Sequence, residues 1–314
     1  MTGIVDTIKT STLSSYLSQD LETAARTAYE CGLDGLDLDR IWEQPIEHLA
    51  DSGLYEPLQY VTKKQSLKIF CLASDLFRCW LDSDAAIRAQ LKTLENTFRL
   101  AEALNCRIVR CYAFMRDGDL EDNWKHLVAF FQEAAAIADH YGLILGVQND
   151  AETFLGTGRE VARLLDAIGS KNLQAIWDPG ASIFDVDRPE IPYPDGYRTL
   201  QGHIAHIMLR DIDTHKHHGG MLCEVEFGAG FIDMRGQMRA LVDDGYDNGV
   251  SFSSIWRPAM MWHGEIDEGD FTEAGAAQTM RFNLYNLQSM MNPELNRPPI
   301  DAEASVAKGK IRHE

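Results

Sequence analysis

The chain has 314 residues, with 29 Lys and Arg against 48 Asp and Glu, a formal net charge of −19 at pH 7 and 45% hydrophobic residues. This suits a packed globular protein with one large α/β core, and no basic stripe offsets the negative charge, so nucleic acid and anionic lipid are excluded as partners held by charge. The six cysteines, Cys31, Cys71, Cys79, Cys106, Cys111 and Cys223, form no CxxC pair. They read as reduced, mostly buried thiols of a cytoplasmic protein. Met1–Ser15 lacks a basic start followed by a long apolar run, which predicts no secretory leader, and no uninterrupted apolar stretch is long enough to span a bilayer.

In chain order, short apolar runs alternate with longer amphipathic ones. Ile4–Ile8 is a weak first strand, and Asp20–Cys31 has helical spacing in Leu21, Ala24, Ala25 and Ala28. Gly32 ends that helix, and Leu33–Leu38 follows as a strand carrying Asp37 and Asp39 at its end. Helix Tyr55–Lys64 precedes a buried strand at Leu67–Leu72. The long helix Asp82–Leu104 opens on an Asp82/Ser83 cap and is carried by Leu91, Leu94, Phe98 and Ala101. Then come strand Arg107–Phe114, helix Asp122–His140, strand Leu143–Val147, helix Gly158–Ala167, strand Leu173–Trp177, helix Asp195–Gln201 and strand Ile204–Leu209. Helix Met234–Asp244, strand Val250–Ile255 and helix Phe271–Met290 complete the series.

Eight such alternations without a linker predict an α/β fold, a single (β/α)8 TIM barrel over residues 1–291. An open doubly wound sheet is the competing architecture, but no GxGxxG or GxxxxGK turn follows an early strand. Asn292–Glu314, with three prolines and little periodicity, reads as a tail that is flexible or packs on a neighbouring subunit.

A barrel collects its chemistry at the C-terminal strand ends, which here carry Asp37/Asp39, Ser74/Asp75, Arg110, Gln148/Asp150, Asp178, Arg210/Asp211 and Ser253. Asp178 stands out. The run Ala175-Ile176-Trp177 delivers its carboxylate and Pro179-Gly180 stops the strand at once; the competing reading is an Asp that caps the following turn.

The segments LGVQND, GTGREVARLLDAIG, AIWDPG, PYPDGY, HIAHIMLRD and GYDNGVSFSS resemble the xylose isomerase-like barrels of the sugar phosphate isomerase/epimerase superfamily, over most of Gly32–Met290. The resemblance implies one divalent metal held by Glu, Asp, His and Glu on strands five to eight, polarising a hydroxyl–carbonyl pair while carboxylates move protons. Carried over position by position, the strand-six Asp is Asp178, but the other ligand positions hold Gln148, Met208 and Ser253. Gly228-Ala229-Gly230 lacks the acidic residue that often stands between those glycines. An amide, a thioether and a hydroxyl are poor ligands for such an ion, so a family-type metal is expected to be absent and no cofactor is expected.

Without the ion another group must stabilise an enolate or alkoxide. Arg210, two residues past Met208 and so on the same side of the strand, is the expected oxyanion or carboxylate holder. Arg110 is a second candidate, or else pairs with Asp37 or Asp178. Asp178 is the expected general base, Gln148 orients substrate, and Asp150, Asp211, Ser253 and Trp256 line the mouth. The long segment Asp211–Phe231 suits a lid that brings His218, Glu224 or Glu226 to the substrate, with His218 and Glu226 the expected acid–base partners of Asp178.

Asp213, His215, His217 and His218 invite a surface metal site, but no further ligand stands at a fixed spacing to complete it, and a polar loop is the simpler reading. A relocated ion on Asp150, Asp178 and Asp211 or His218 is a further option. His206 should point inward one layer below Met208, as a hydrogen-bonded core histidine or a substrate contact. Trp177, Phe114, Phe184, Trp256, Trp262 and His263, with Met260 and Met261, lie near the same face; convergence above Asp178 would favour an apolar or natural-product substrate.

Two functions follow. One is a metal-independent isomerase, epimerase or lyase transferring protons next to a carbonyl of a small polyol, sugar-like or natural-product substrate. The other is a non-catalytic barrel that binds a ligand or partner protein. A homo-oligomer, or a hetero-oligomer for the second function, is expected.

Overall fold

In the computed structural model, which describes residues 8–50, 52, 55–64, 68–81, 84–185, 187–214, 220–257, 260–262, 265–267 and 272–292, eight parallel strands form a nearly closed barrel. They are β1 (Lys9–Thr12), β2 (Gly35–Leu38), β3 (Lys68–Leu76), β4 (Ile108–Cys111), β5 (Ile144–Gln148), β6 (Leu173–Trp177), β7 (Ile204–Leu209) and β8 (Gly249–Phe252). Each pairs with its sequence neighbour from β2 to β8, and β8 pairs with β1. A parallel bridge between Leu13 and Asp37 brings β1 back to β2. The outer layer is α1 (Leu21–Cys31), α2 (Tyr55–Lys64), α3 (Asp84–Ala103), α4 (Leu120–Tyr141), α5 (Gly158–Ile168), α6 (Tyr197–Leu200), α7 (Met234–Asp243) and α8 (Glu273–Met291).

Local chemistry sets the helix ends. Asp20 accepts from the Thr23 amide at the start of α1, and Gly32, at φ 86°, closes it in the left-handed region. Thr157 and Glu160 form a reciprocal capping box at α5. The buried Glu190 carboxylate adds to that terminus, accepting from the Gly158 and Arg159 amides at 2.7 and 3.1 Å.

Two apolar layers result. The larger lies between strands and helices and includes Leu94, Phe98, Phe131, Trp177 and Phe252. The smaller, with Leu13, Cys71, Ala73, Ile108, Ile176 and Met208, fills the barrel interior. Phe70 plugs the bottom. Between β2 and β3 the register slips, Leu36 opposing Ile69 and Asp37 opposing Cys71. The Phe70 ring lies so close to Gly35 and Gly249 that a Cβ at either would come within 2.6 or 2.7 Å of it.

Several expected elements shift. The first strand is Lys9–Thr12 rather than Ile4–Ile8, of which only Ile8 lies in the described residues. That strand is polar because its hydroxyls have buried partners, Ser11 bonding Asp37 and Thr12 the Phe252 carbonyl at 2.6 Å. The expected helix Asp195–Gln201 is a wide π-turn over Pro192–Gly196 followed by α6, since Pro192 and Pro194 have no amide hydrogen for a regular turn. The segment after β7 is built around a hairpin, Asp211–Thr214 antiparallel to Leu222–Val225. The Asp82/Ser83 cap and the tail beyond Asn292 lie outside the described residues. Among those described, no helix is long and apolar enough to cross a membrane.

Candidate active site

β5, β6 and β7 end at Gln148, Trp177 and Leu209, so their parallel register brings Gln148, Asp178 and Arg210 to one place at the C-terminal mouth. Asp178 is buried and makes the cap that was the competing reading of it. Its Oδ1 accepts from the Ala181 amide at 2.9 Å, capping the short helix Pro179–Phe184, while the carboxylate faces the mouth. Arg210 grips it, Nε standing 3.1 Å from Oδ1 and 2.8 Å from Oδ2, with Nη2 2.7 Å from Oδ2. Gly180 makes room: a Cβ there would lie 2.7 Å from Arg210 Cγ and 2.9 Å from its carbonyl oxygen. The Pro-Gly that ends the strand thus also gives passage to the stem of the guanidinium.

The pair belongs to a polar row across the mouth. Gln148 Nε2 donates to Asp178 Oδ2 at 3.2 Å, and Gln148 Oε1 accepts from Arg110 Nη1 at 3.3 Å. Arg110 is buried; it also donates to the Ala73 and Ser74 carbonyls at 2.7 and 3.1 Å, pairs with Asp75 at 3.2 Å and lies over the Tyr112 ring. Its acidic partner is therefore Asp75 rather than Asp37 or Asp178. At the other end, Arg210 Nη1 reaches Glu224 Oε1 at 3.4 Å, and Glu224 Oε2 accepts from Ser254 Oγ at 2.9 Å and the Ile255 amide at 2.6 Å. Glu224 comes from the second strand of the hairpin after β7, which folds back over the mouth.

Burial dominates the electrostatics. It pushes the Asp178 carboxyl above its ordinary range, against the opposing pull of Arg210. For Arg210 burial acts downward, but Asp178 and Glu224 outweigh it and hold the guanidinium firmly charged. Tyr16, half-buried, donates to the Ser253 carbonyl at 3.0 Å; its phenol is raised, first by burial and then by Glu224. Burial also pushes Tyr112 up to about 12.

The remaining expected residues are placed as follows. Asp150 accepts from the Glu152 amide at 2.9 Å and pairs with Arg78 at 3.4 Å on the rim. Met208 packs in the interior apolar layer, and Ser253 Oγ donates to the Leu209 carbonyl at 3.3 Å. Trp256 is half-buried beside Ser254, whose Oγ accepts its amide at 3.0 Å. His206 lies wholly buried below the mouth, paired with Asp37 at 2.9 Å, so the core-histidine reading describes its surroundings and a substrate contact does not.

Asp211, expected to line the mouth, is used up in the loop. Its Oδ2 accepts from the Gly228 and Gly230 amides at 3.0 and 2.9 Å and its Oδ1 from the Ile212 amide. Glu226, expected beside Asp178, instead accepts from Asn286 of α8 at 2.7 Å, because the hairpin strand ends at Val225 and the bend that follows turns Glu226 to the helix layer, while Glu224, still on the strand, faces the mouth. His215, His217 and His218 lie outside the described residues, as does His263. Trp177 and Phe114 belong to the outer core and do not converge above Asp178. Tyr16, Arg78 and Tyr112 were missed; a first strand ending at Thr12 would have placed Tyr16 at the mouth.

Of the four positions at which the resemblance implies metal ligands, Gln148, Asp178 and Ser253 stand at this mouth and Met208 packs in the interior apolar layer. They do not fit a divalent ion, since the single carboxylate has both oxygens against a guanidinium and the others offer an amide, a thioether and a hydroxyl bonded to backbone. Among the described residues no group of three or more His, Cys, Asp or Glu is placed to hold a metal.

The family described as xylose isomerase-like TIM barrel matches residues 25–282. Comparison with curated protein sequences finds no match. Similar solved structures include the 3-keto-D-glucoside 4-epimerase YcjR from E. coli, at 15% identity and TM-score 0.66, covering 90% of this chain and 99% of that one. The IolI protein with a bound zinc atom is similar at 13% identity and TM-score 0.70, covering 92% and 100%. The probable 3-DHS dehydratase AsbF from Bacillus anthracis is similar at 15% identity and TM-score 0.68, covering 90% and 99%. At these identities the likeness is one of fold.

Proposed function

Because the chain belongs to the xylose isomerase-like TIM barrel family, we propose that it is a metal-independent isomerase, epimerase or lyase that transfers a proton next to the carbonyl of a small sugar-like or natural-product substrate. The observation that carries this reading is the Arg210 guanidinium lying against both oxygens of Asp178, the one family ligand that remains. A fixed positive charge at the mouth stabilises negative charge developing on a substrate oxygen, the service a Lewis acid gives elsewhere. Asp178, its carboxyl raised by burial, is the base that takes the proton. Glu224, on the far side of Arg210, replaces Glu226 as the second proton-transfer group, and Gln148 orients the substrate through its amide. Two similar structures, an epimerase and a probable dehydratase by their names, support the reaction class.

The test is proton exchange in D2O at the carbon next to the carbonyl, followed by NMR over a panel of ketoses and keto-polyols, with metal analysis before and after chelation. Exchange that survives chelation, and falls at least ~100-fold in Asp178→Asn and Arg210→Met, is expected. Activity that requires a stoichiometric metal would reject the proposal.

A second reading, a non-catalytic barrel that binds a partner protein, draws on the rim. Trp42, Trp80, Ile191, Met221, Phe231 and Ile255 are exposed, and all lie in segments that follow C-terminal strand ends. Stable association through this face without turnover by the isolated chain would favour it. A cytoplasmic location and a homo-oligomeric state accompany the first reading.

A further inference from the structure

Between the polar mouth and the Phe70 plug lies a layer of the barrel interior that the proposed reaction does not use. Ser11 of β1, Asp37 of β2, His206 of β7 and Ser251 of β8 occupy it, each with 0% of its surface exposed. Around the barrel these strands run β7, β8, β1, β2 as neighbours, so the four side chains project into one sector. Ser11 and Ser251 are direct register partners. His206 Nε2 meets Asp37 Oδ2 at 2.9 Å, and Ser11 Oγ donates to the same oxygen at 3.1 Å.

The second valence of each group is open. Asp37 Oδ1, His206 Nδ1 and Ser251 Oγ are buried and have no protein partner. Buried polar atoms in folded proteins are bonded to protein or to ordered water, and leaving one dry costs more than a hydrogen bond returns. His206 Nε2 is taken up by Asp37, which leaves Nδ1 as the ring atom that needs a partner. The sector then presents one carboxylate acceptor, Asp37 Oδ1, one ring nitrogen, His206 Nδ1, and one hydroxyl that both donates and accepts. A water molecule, with two hydrogens and two lone pairs, complements that set. The apolar neighbours Leu13, Met208 and Cys71 offer none of these atoms a bond.

We propose that this sector is a water-binding site: at least one ordered water sits inside the barrel below the mouth, bonded to Ser251 Oγ and to Asp37 Oδ1 or His206 Nδ1. Leu13 and Met208 belong to the interior apolar layer, and the Phe70 ring packs against Gly35 and Gly249 at the first residues of β2 and β8. The water makes the barrel core wet where its layer of Cys71, Ile108 and Ile176 would otherwise be dry.

A crystal structure of the full chain at a resolution that shows ordered solvent tests this. The expected result is a density peak at about 2.6–3.2 Å from Ser251 Oγ and from at least one of the other two atoms. A map in which that space is empty, or in which the three atoms bond to one another or to other protein groups, would overturn it. Ser251→Ala, which adds no volume, gives an independent reading in solution. If the sector is wet, the water loses one of its bonds and the melting temperature falls by a few degrees. If it is dry, removing an orphan hydroxyl holds or raises the melting temperature, and the proposal fails.

Discussion

Replacing Arg210 by Met keeps most of the stem that passes Gly180 but removes the charge from a carboxylate whose side chain is 1% exposed. Asp178 would be left with Gln148 Nε2 and the Ala181 amide as donors. Removing one partner of a buried pair costs roughly 3–5 kcal/mol. Asp178 can soften this by taking up a proton, because burial has already raised its pKa, so about 3 kcal/mol at neutral pH is expected for Arg210→Met. Asp178→Asn leaves a guanidinium 22% exposed and still beside Glu224, and should cost only about 1–2 kcal/mol. The double variant strands no charge at that position and should therefore be more stable than Arg210→Met alone, with a coupling of about 2 kcal/mol. Urea unfolding of the four proteins at pH 7.5, repeated near pH 5, measures all of this. The Arg210→Met penalty should shrink at the lower pH as Asp178 is protonated. Additive losses, or a cost below about 0.5 kcal/mol for Arg210→Met, would refute the view that this ion pair governs the mouth.

Other changes probe neighbouring features. Gly180→Ala places a methyl against the Arg210 backbone and should cost about 1–3 kcal/mol, read as a fall in melting temperature. Glu190→Ala leaves the first amides of α5 without an acceptor and should cost about 2 kcal/mol by urea unfolding, whereas Glu190→Gln, which keeps an acceptor, should lose less. Burial raises the carboxyls of Asp178, Asp185, Asp211, Glu47 and Glu160. Raised acids bind more protons folded than unfolded, so their contribution is complete below the unfolded pKa and is lost as pH rises through the folded one. With the charge of −19 adding self-repulsion at high pH, the melting temperature should be higher near pH 5.5 than at pH 8, and the reverse order would contradict these directions.

Much of the fold was legible because apolar periodicity survives in single elements. Tyr55–Lys64 and Leu173–Trp177 stand at their expected bounds, since each has a clear pattern and clear stop signals. β1 was misplaced because its satisfied hydroxyls imitate a loop, and the turn at Pro192 because two prolines forbid the helix its flanks suggest. At the mouth, Asp178, Arg210 and Gln148 were readable from strand ends and alternation. The choice between Glu224 and Glu226 was not, because a hairpin interrupts the loop and its second strand stops at Val225, so only Glu224 keeps the face that looks on the mouth.

What sequence alone determines here is the alternation of eight strands with helices, and with it the edge at which functional side chains gather. It also determines the chemistry at the positions where the resemblance implies metal ligands, because Gln, Met and Ser are what they are wherever they sit. Tertiary structure decides which charges meet. Arg210 closes on Asp178 only because β6 and β7 run in register and Gly180 lets the stem through, while Asp211 is consumed by two loop amides. Hydrogen bonds and ion pairs depend on distances of a few ångströms between residues far apart in the chain, and no local pattern encodes those distances.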